Sequence, residues 1–418
     1  MVRAADWVCE RIVAAGGTAE RDESHGGNPL ATGELRSSDP DAPTVLIYGH
    51  YDVQSVGDES AWTTPPFEPE VRDDRIYARG AADDKGNFLP LLHVACELAG
   101  EGRLPVNVRV LVEGEEEVGG EAVSGWIAAD ERGADCAIVF DAGPVDERTP
   151  AIVVGLRGVI MVDIAVRTGS RDLHSGVYGG SVMNALHVVQ AMLSEVVPDP
   201  DGWVREELRA GIEPPTESER ESWRRLPPGD DVIAAEGGRP LGPGSGAEYY
   251  VRNGAEASLD VNAISGGEPR TVVPATATAT LSLRLAPGQV AAEIAAVLED
   301  LLRAAIPEGA EVEIRLTAHD PALCDPESDA VRLSREALER ATGTPPVLMR
   351  EGGSIPVVAD LLGKGIPTIV SGFSLPSDSI HAPDEHYRLE SLRLGERSAH
   401  ELYAALAALP ARSEAEAD

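Results

Sequence analysis

Lysine is almost missing: Lys85 and Lys364 are the only two in 418 residues, so the positive charge is nearly all arginine. The formal net charge is −36, from 71 acidic residues against 35 basic ones. Nucleic-acid binding needs clustered Lys and Arg to neutralise phosphates, and no such patch is present. The same deficit disfavours anionic membranes. No run of eighteen or more apolar residues occurs, which excludes a membrane-spanning helix of the usual length. The opening "MVRAADWVCERIVAAGG" lacks the charged start and apolar middle of a secretory leader and reads as an amphipathic helix, so a cytoplasmic protein is expected. Cys9, Cys96, Cys136 and Cys324 are scattered without C-x-x-C spacing, which suits reduced thiols better than a disulfide framework. Tandem repeats, a G-x-S-x-G elbow and a recognisable catalytic cysteine motif are all absent, which argues against a serine or cysteine hydrolase.

What remains is an ordinary globular composition in a chain longer than one core usually supports, so two domains are expected. Apolar runs "TVLIYGH", "VNVRVLVEG", "DCAIVFDAG" and "PTIVSGF" alternate with helical segments such as "GNFLPLLHVACELAGEG". That alternation predicts an α/β domain, a mostly parallel sheet flanked by helices. After "GLRG" the pattern changes to strand, helix, two strands, helix, strand, the order of an inserted α+β, ferredoxin-like domain. Its second helix carries Val290, Ile294, Val297, Leu298, Leu301 and Leu302 at three- and four-residue steps, one apolar stripe. The boundaries read as 1–156 and 319–418 for the two parts of the larger domain and 157–318 for the insert. Residues from about 199 to 256, rich in Pro, Gly and charge, read as an irregular excursion within the insert with a few short helices.

The acidic residues fall at strand ends. In "IYGHYDVQ", His50 and Asp52 stand two apart and project on one face, as a ligand and its orienting partner would. Taken alone, they also fit a histidine bonded to a neighbouring carboxylate at a sheet edge. "YARGAADDKGN" brings Asp83 and Asp84 before a helix; N-capping accounts for one aspartate but not for two. "EGEEEVGG" adds three glutamates and "VFDAGP" adds Asp141, each after a strand. In open α/β sheets ligands sit in the crevice outside the carboxyl ends of the strands. Carboxylates gathered there raise one another's pKa unless cations intervene. Histidine nitrogen with carboxylate oxygen and no cysteine fits Zn²⁺ and, less specifically, Mn²⁺ or Co²⁺. The number of carboxylates suits two ions rather than one. A solvated acidic run is the alternative for the glutamates.

These motifs, ordered along nearly the whole chain, resemble those of the dinuclear zinc peptidases and deacylases of the aminoacylase and carnosinase type, especially the dimeric dipeptidase branch. The resemblance implies that His50 binds a first metal with Asp52 orienting it, and that Asp83 bridges both metals. It makes Glu116 the general base, Glu117 a ligand of the second metal, Asp141 the completing ligand of the first, and His381, in "SIHAPDE", that of the second. An aspartate at 141 tilts the expectation toward dipeptidases. The insert resembles a lid or dimerisation domain, and "RDLHSGVYGGSVMNALHVV" matches its most recognisable stretch. His174 there would reach a neighbouring subunit's metal site and stabilise the oxyanion; without the resemblance, a capping or packing role at a turn is the simpler reading. Arg284, in "LSLRLAP", and Arg350, Glu351, Gly352, Gly353 and Ser354, in "REGGSIP", match substrate-gripping positions. An arginine fork suits a terminal carboxylate.

The implied enzyme is a homodimeric, metal-dependent exopeptidase with two Zn²⁺, acting on dipeptides or short peptides through a metal-activated water and Glu116. An N-acyl- or N-carbamoyl-amino-acid amidohydrolase would use the same site. A non-catalytic dimeric binding protein would have lost a ligand or the base, and here every position is filled. Three departures from the family pattern stand out. The chain begins inside what resembles the family's first helix, the loop "AISGGEPRTVVP" is short, and "DPALCDP" lacks a histidine seen in some animal relatives.

Overall fold

The computed structural model describes residues 1–242, 244–353 and 355–410. The apolar runs form strands where expected. The chain first lays down β1 (Thr18–Asp22), β2 (Leu30–Leu35), β3 (Thr44–His50), β4 (Asn107–Glu113), β5 (Cys136–Phe140) and β6 (Ala151–Leu156). It leaves to build a second sheet from β7 (Gly158–Arg167), β8 (Ser258–Gly266), β9 (Thr276–Leu285) and β10 (Glu311–His319). It returns with β11 (Ala322–Leu323), β12 (Val347–Glu351) and β13 (Thr368–Ser371).

In the middle of the large sheet, β4, β3, β5 and β13 pair in parallel. All of β4 and β5 is buried, because helices cover both faces and an unbroken apolar run is what such a strand requires. Helices Val2–Ala14, Asn87–Gly100, Asp329–Thr342 and Leu389–Leu406 share one core with Val45, Ile47, Val110 and Ile138; Ala122–Ala129 and Pro356–Gly363 pack on the opposite side with Leu46, Tyr48 and Val139. Toward the margins pairing is mixed: β1 on β2, β2 on β4, β13 on β6 and β11 on β6 are antiparallel, while edge strand β12 joins β6 in parallel. With parallel β3, β4 and β5 side by side, His50 at the end of β3, the glutamates after β4 and Asp141 after β5 emerge on the same rim.

The second sheet runs in the order β8, β9, β7, β10 with every pair antiparallel, as the expected ferredoxin-like order requires. Alternate residues of β7, Ile160, Val162, Ile164 and Val166, are buried beneath helices Ala185–Ser194 and Ala291–Ala304. In the second of these helices the buried stripe is Ala291, Ile294, Leu298 and Leu302, with Val297 and Leu301 partly covered. Val290 departs from the expected stripe: it is the N-cap, in extended conformation, and 49% exposed.

The excursion also departs from expectation. Helix Glu217–Trp223 packs on β12, where Ser222 Oγ accepts a hydrogen bond from Leu348 N at 3.2 Å and Trp223 Nε1 donates to Leu348 O at 2.9 Å. Trp223 and Leu226 join Ala151, Ala255 and Val347 in a small apolar cluster. Side chains thus occupy backbone groups that an edge strand leaves unpaired. The short helices are as expected, but the range 157–318 encloses a segment that belongs by its contacts to the large sheet. Among the described residues no helix is long and apolar enough to cross a membrane.

Candidate metal centre

His50 is 1% exposed at the carboxyl end of β3. Its Nε2 lies 2.9 Å from Asp83 Oδ1 and 3.9 Å from Asp141 Oδ1, and its Nδ1 is 3.3 Å from Asp52 Oδ1. The other oxygen of Asp83 lies 2.9 Å from His381 Nε2, which is 3.2 Å from Glu117 Oε2. Two sets follow, His50 with Asp83 and Asp141, and Asp83 with Glu117 and His381, each with its ligand-type atoms within 4.8 Å of one another. Asp83 is common to both and turns one oxygen to each histidine. A donor set of nitrogen and oxygen without sulfur, split into two groups over a shared carboxylate, fits a pair of divalent ions.

The electrostatics agree. Burial pushes the Asp141 carboxyl well above its usual range, against the pull of His50. Burial likewise raises Glu116 and Glu117. For Asp83, burial is outweighed by hydrogen bonds and charge from His50 and His381, and its carboxyl is held low. Acids packed this closely resist ionising together, and cations between them remove the conflict.

Neighbouring groups fix the side chains of both sets. Asp52 Oδ2 accepts from Glu117 N at 3.1 Å, tying the end of β3 to the turn after β4. Gln54 Nε2 donates to Glu117 Oε2 at 2.9 Å. Asp84 is fully buried, and its Oδ2 accepts from His50 N at 3.2 Å. Neither aspartate caps the following helix, whose N-cap Gly86 makes no side-chain cap bond; Asp83 faces the two histidines and Asp84 supports the backbone of His50. Glu115 turns away, its Oε1 accepting from Asn28 N at 2.9 Å. Asp83, Asp141 and Glu351 line one cleft of about 310 Å³.

The arginines divide. Arg350 is 4% exposed and bound within the protein: Nε and Nη2 hold Glu219 at 2.6 and 3.2 Å, and Nη1 donates to Glu213 O at 2.6 Å. Its fork is spent on the excursion helix, which corrects the expectation that it grips substrate. Arg284, on β9, instead neighbours Arg157, whose guanidinium is pushed down to about 10 by burial first and by Arg284 second. Arg157 Nη1 donates to Ser258 Oγ at 2.9 Å, and its Nε has no partner among the described residues. Gly352 lies against this guanidinium: a Cβ there would come within 2.8 Å of Arg157 Nη2. Gly353 has open space around it, and Ser354 lies outside the described residues. His174 is exposed, pinned by β-pairing of Leu173 and His174 with Val273 and Val272. Among the described residues no hydrogen bond or ion pair links it to the cluster; its Nδ1 accepts from Gly176 N.

Gln54, Arg79, Arg157 and Glu385 carry no role in the sequence reading, and Asp84 enters it only as the companion of Asp83. Gln54 and Asp84 lie inside quoted motifs, so adjacency was their available signal. The others act through partners far along the chain.

A parallel sheet whose strand ends gather two histidine and carboxylate sets on one aspartate has the architecture of a metal-dependent hydrolase. The chain belongs to peptidase family M20/M25/M40, whose profile matches residues 46–405. It is 31% identical over 355 residues to the cysteinylglycine-S-conjugate dipeptidase of Corynebacterium striatum, covering 82% of this chain and 77% of that one. With the Beta-Ala-His dipeptidase of Homo sapiens it shares 26% over 382 residues, 85% of this chain and 73% of that one. The crystal structure of the M20 family metallo-carboxypeptidase Sso-CP2 from Sulfolobus solfataricus superimposes with a TM-score of 0.85 at 27% identity, covering 97% of this chain and 94% of that one.

Proposed function

We propose that this protein is a dipeptidase-like exopeptidase with two Zn²⁺, one held by His50, Asp83 and Asp141 and the other by Asp83, Glu117 and His381, Mn²⁺ or Co²⁺ being possible substitutes. The observation that carries this reading is Asp83, with one oxygen 2.9 Å from each of two histidines. When bound, such ions supply Lewis acidity, lowering the pKa of water and polarising the scissile carbonyl. Glu116, its proton affinity raised by burial, takes the proton from the attacking water and returns it to the leaving amine. Asp52 holds the His50 ring in place.

Substrate class turns on the cleft that Asp141 shares with Glu351. A second carboxyl group there suits a free α-ammonium, which a peptide offers and an N-acyl or N-carbamoyl amino acid lacks. Arg284, as the cation available beside Arg157, suits the terminal carboxylate. The dipeptidase names of the relatives above support the same reading.

In this reading residues 1–156 and 319–418 form the catalytic domain, and 157–318, apart from the excursion, form a lid that pairs with a second copy. Exposed Val177, Tyr178, Val182 and Met183 beside His174 support a homodimer in which the partner delivers this histidine to the metal centre, where it stabilises the oxyanion. Four free cysteines suit a cytoplasmic setting.

The test is a substrate panel on chelator-stripped protein reloaded with Zn²⁺, Mn²⁺ or Co²⁺. Free dipeptides should be cleaved faster than their N-acylated or N-carbamoylated counterparts, and stripping should abolish turnover. Preferential hydrolysis of acyl-amino acids would overturn the assignment in favour of the amidohydrolase.

A further inference from the structure

We propose that the buried ion pair Arg79–Glu385 is a positioning device that sets the two metal sites against each other, through Asp83 on one side and His381 on the other. The inference rests on the two-ion reading above.

Glu385 is fully buried. Its Oε2 accepts from Gly80 N at 2.9 Å, and its Oε1 from Ala82 N at 2.9 Å and Asp83 N at 3.2 Å. One carboxylate thus gathers three backbone N–H groups of the turn that ends in the shared aspartate. Arg79, 5% exposed, meets it with Nη1 2.6 Å from Oε2. The same guanidinium donates through Nη2 to Ala382 O at 3.1 Å, one residue beyond His381. A single guanidinium therefore holds both the carboxylate that shapes the Asp83 turn and the loop that carries His381.

That loop needs holding. His381 has φ 60, Ser379 φ 57 and Asp384 φ 58, left-handed conformations that side-chain-bearing residues adopt at a cost. Strand pairing brings Glu385 into place, since His386 pairs with Tyr77 and Ala78 N donates to Glu385 O at 3.1 Å. At the far side, Asp384 accepts from Thr63 N and Thr63 Oγ1 at 2.8 and 2.7 Å. Asp83 and His381 are 298 residues apart in sequence, and their 2.9 Å approach depends on these ties.

Glutamine at 385 keeps the shape but replaces one acceptor oxygen with an NH₂ group. That donor must face Arg79 and Gly80 N on one side or Ala82 N and Asp83 N on the other, so the clamp cannot close. The experiment strips the full-length protein with chelator and reloads it with Co²⁺. Ions per chain, titrated affinity, the visible absorption spectrum and the thermal midpoint are then read. Wild type should take two ions. Glu385→Gln should bind the weaker of them about 10- to 100-fold less tightly, with an altered cobalt spectrum, as loss of an outer partner of a ligand does. Arg109→Lys is the control: it disturbs the Arg109 fork on Asp130 in a different cleft, and should lower the midpoint while leaving two ions bound with the wild-type spectrum. If Glu385→Gln does not fold, Arg79→Lys decides the matter, because it keeps the charge but cannot span Glu385 and Ala382. A folded variant of either kind with wild-type affinities and spectrum overturns the clamp alone. A wild type that takes up no ions overturns the two-ion reading, and the clamp with it.

Discussion

The interior carries unbalanced charge in two places, with opposite signs. Beyond β3, β4 and β5, Asp83, Glu116, Glu117 and Asp141 crowd around two histidines without an arginine or lysine paired to any of them among the described residues. Where β6 turns into β7, Arg157 is buried next to Arg284 with a serine as its side-chain hydrogen-bond partner. Arg350 is the counterexample, equally buried and fully matched by Glu219 and backbone carbonyls. Burying a charge is costly unless something pairs it. A matched pair can be internal scaffolding, whereas an unmatched cluster leaves the balancing charge to a ligand: in the proposed function, cations at the acidic end and a carboxylate at the basic end.

The sharpest way to break this contrast is at the acidic end. Glu116→Gln should keep both metal ions but lower turnover by about 10²- to 10⁴-fold, the range a lost general base produces. Glu117→Ala should instead lose an ion, so elemental analysis beside steady-state kinetics separates the two roles; an active Glu116→Gln protein would sink the assignment. The matched arginine comes next. Glu219→Ala strands Arg350 and should cost about 3–5 kcal/mol in denaturant unfolding. Arg157→Met removes a buried charge that makes no ion pair among the described residues, Asp260 acting on it only at a distance, and should leave unfolding stability equal or higher. Equal losses in the two variants would erase the distinction between them. Arg284→Ala belongs to the ligand side: KM for dipeptides should rise by roughly 10- to 100-fold, as loss of about 1.5–3 kcal/mol from a charged hydrogen bond implies. Peptides with an amidated C-terminus should already bind weakly to wild type and lose little more.

The same contrast explains what could be read from the chain. His50, Asp52, Asp83, Glu117 and Asp141 each stand within a few residues of a strand end or glycine turn, and parallel neighbours then bring those ends together. Local sequence therefore carried the placement of the acidic cluster, and the alternation of apolar runs carried the sheet. Arg350 looked equivalent to Arg284 because residue type and motif say nothing about a carboxylate such as Glu219, 131 positions away. Glu385 was hidden for the same reason, since its value lies in three N–H groups more than 300 residues earlier. The excursion's proline and charge show an irregular stretch with short helices, but not where it packs, because its contact with the sheet depends on Ser222, Trp223 and Leu226.

Glu351 joins the two charged regions, and the smallest expected effect tests that junction. Its carbonyl accepts from Arg157 N at 3.1 Å, and the residue is one of those lining the cleft with Asp83 and Asp141. Burial raises its carboxyl from 4.5 to about 7. Between those values the folded chain holds a proton that the unfolded chain has released, so the stabilising contribution is complete below about 4.5 and lost as pH rises through about 7. The stability difference between metal-free wild type and Glu351→Gln should therefore fall by about 1–2 kcal/mol between pH 5 and pH 8, partial exposure keeping it below the full value of the shift. Urea unfolding of both proteins across that interval reads it directly. A difference that stays flat with pH would mean that Glu351 is ionised throughout, already neutralised by the basic end of the site, and that the two regions are one electrostatic unit rather than two.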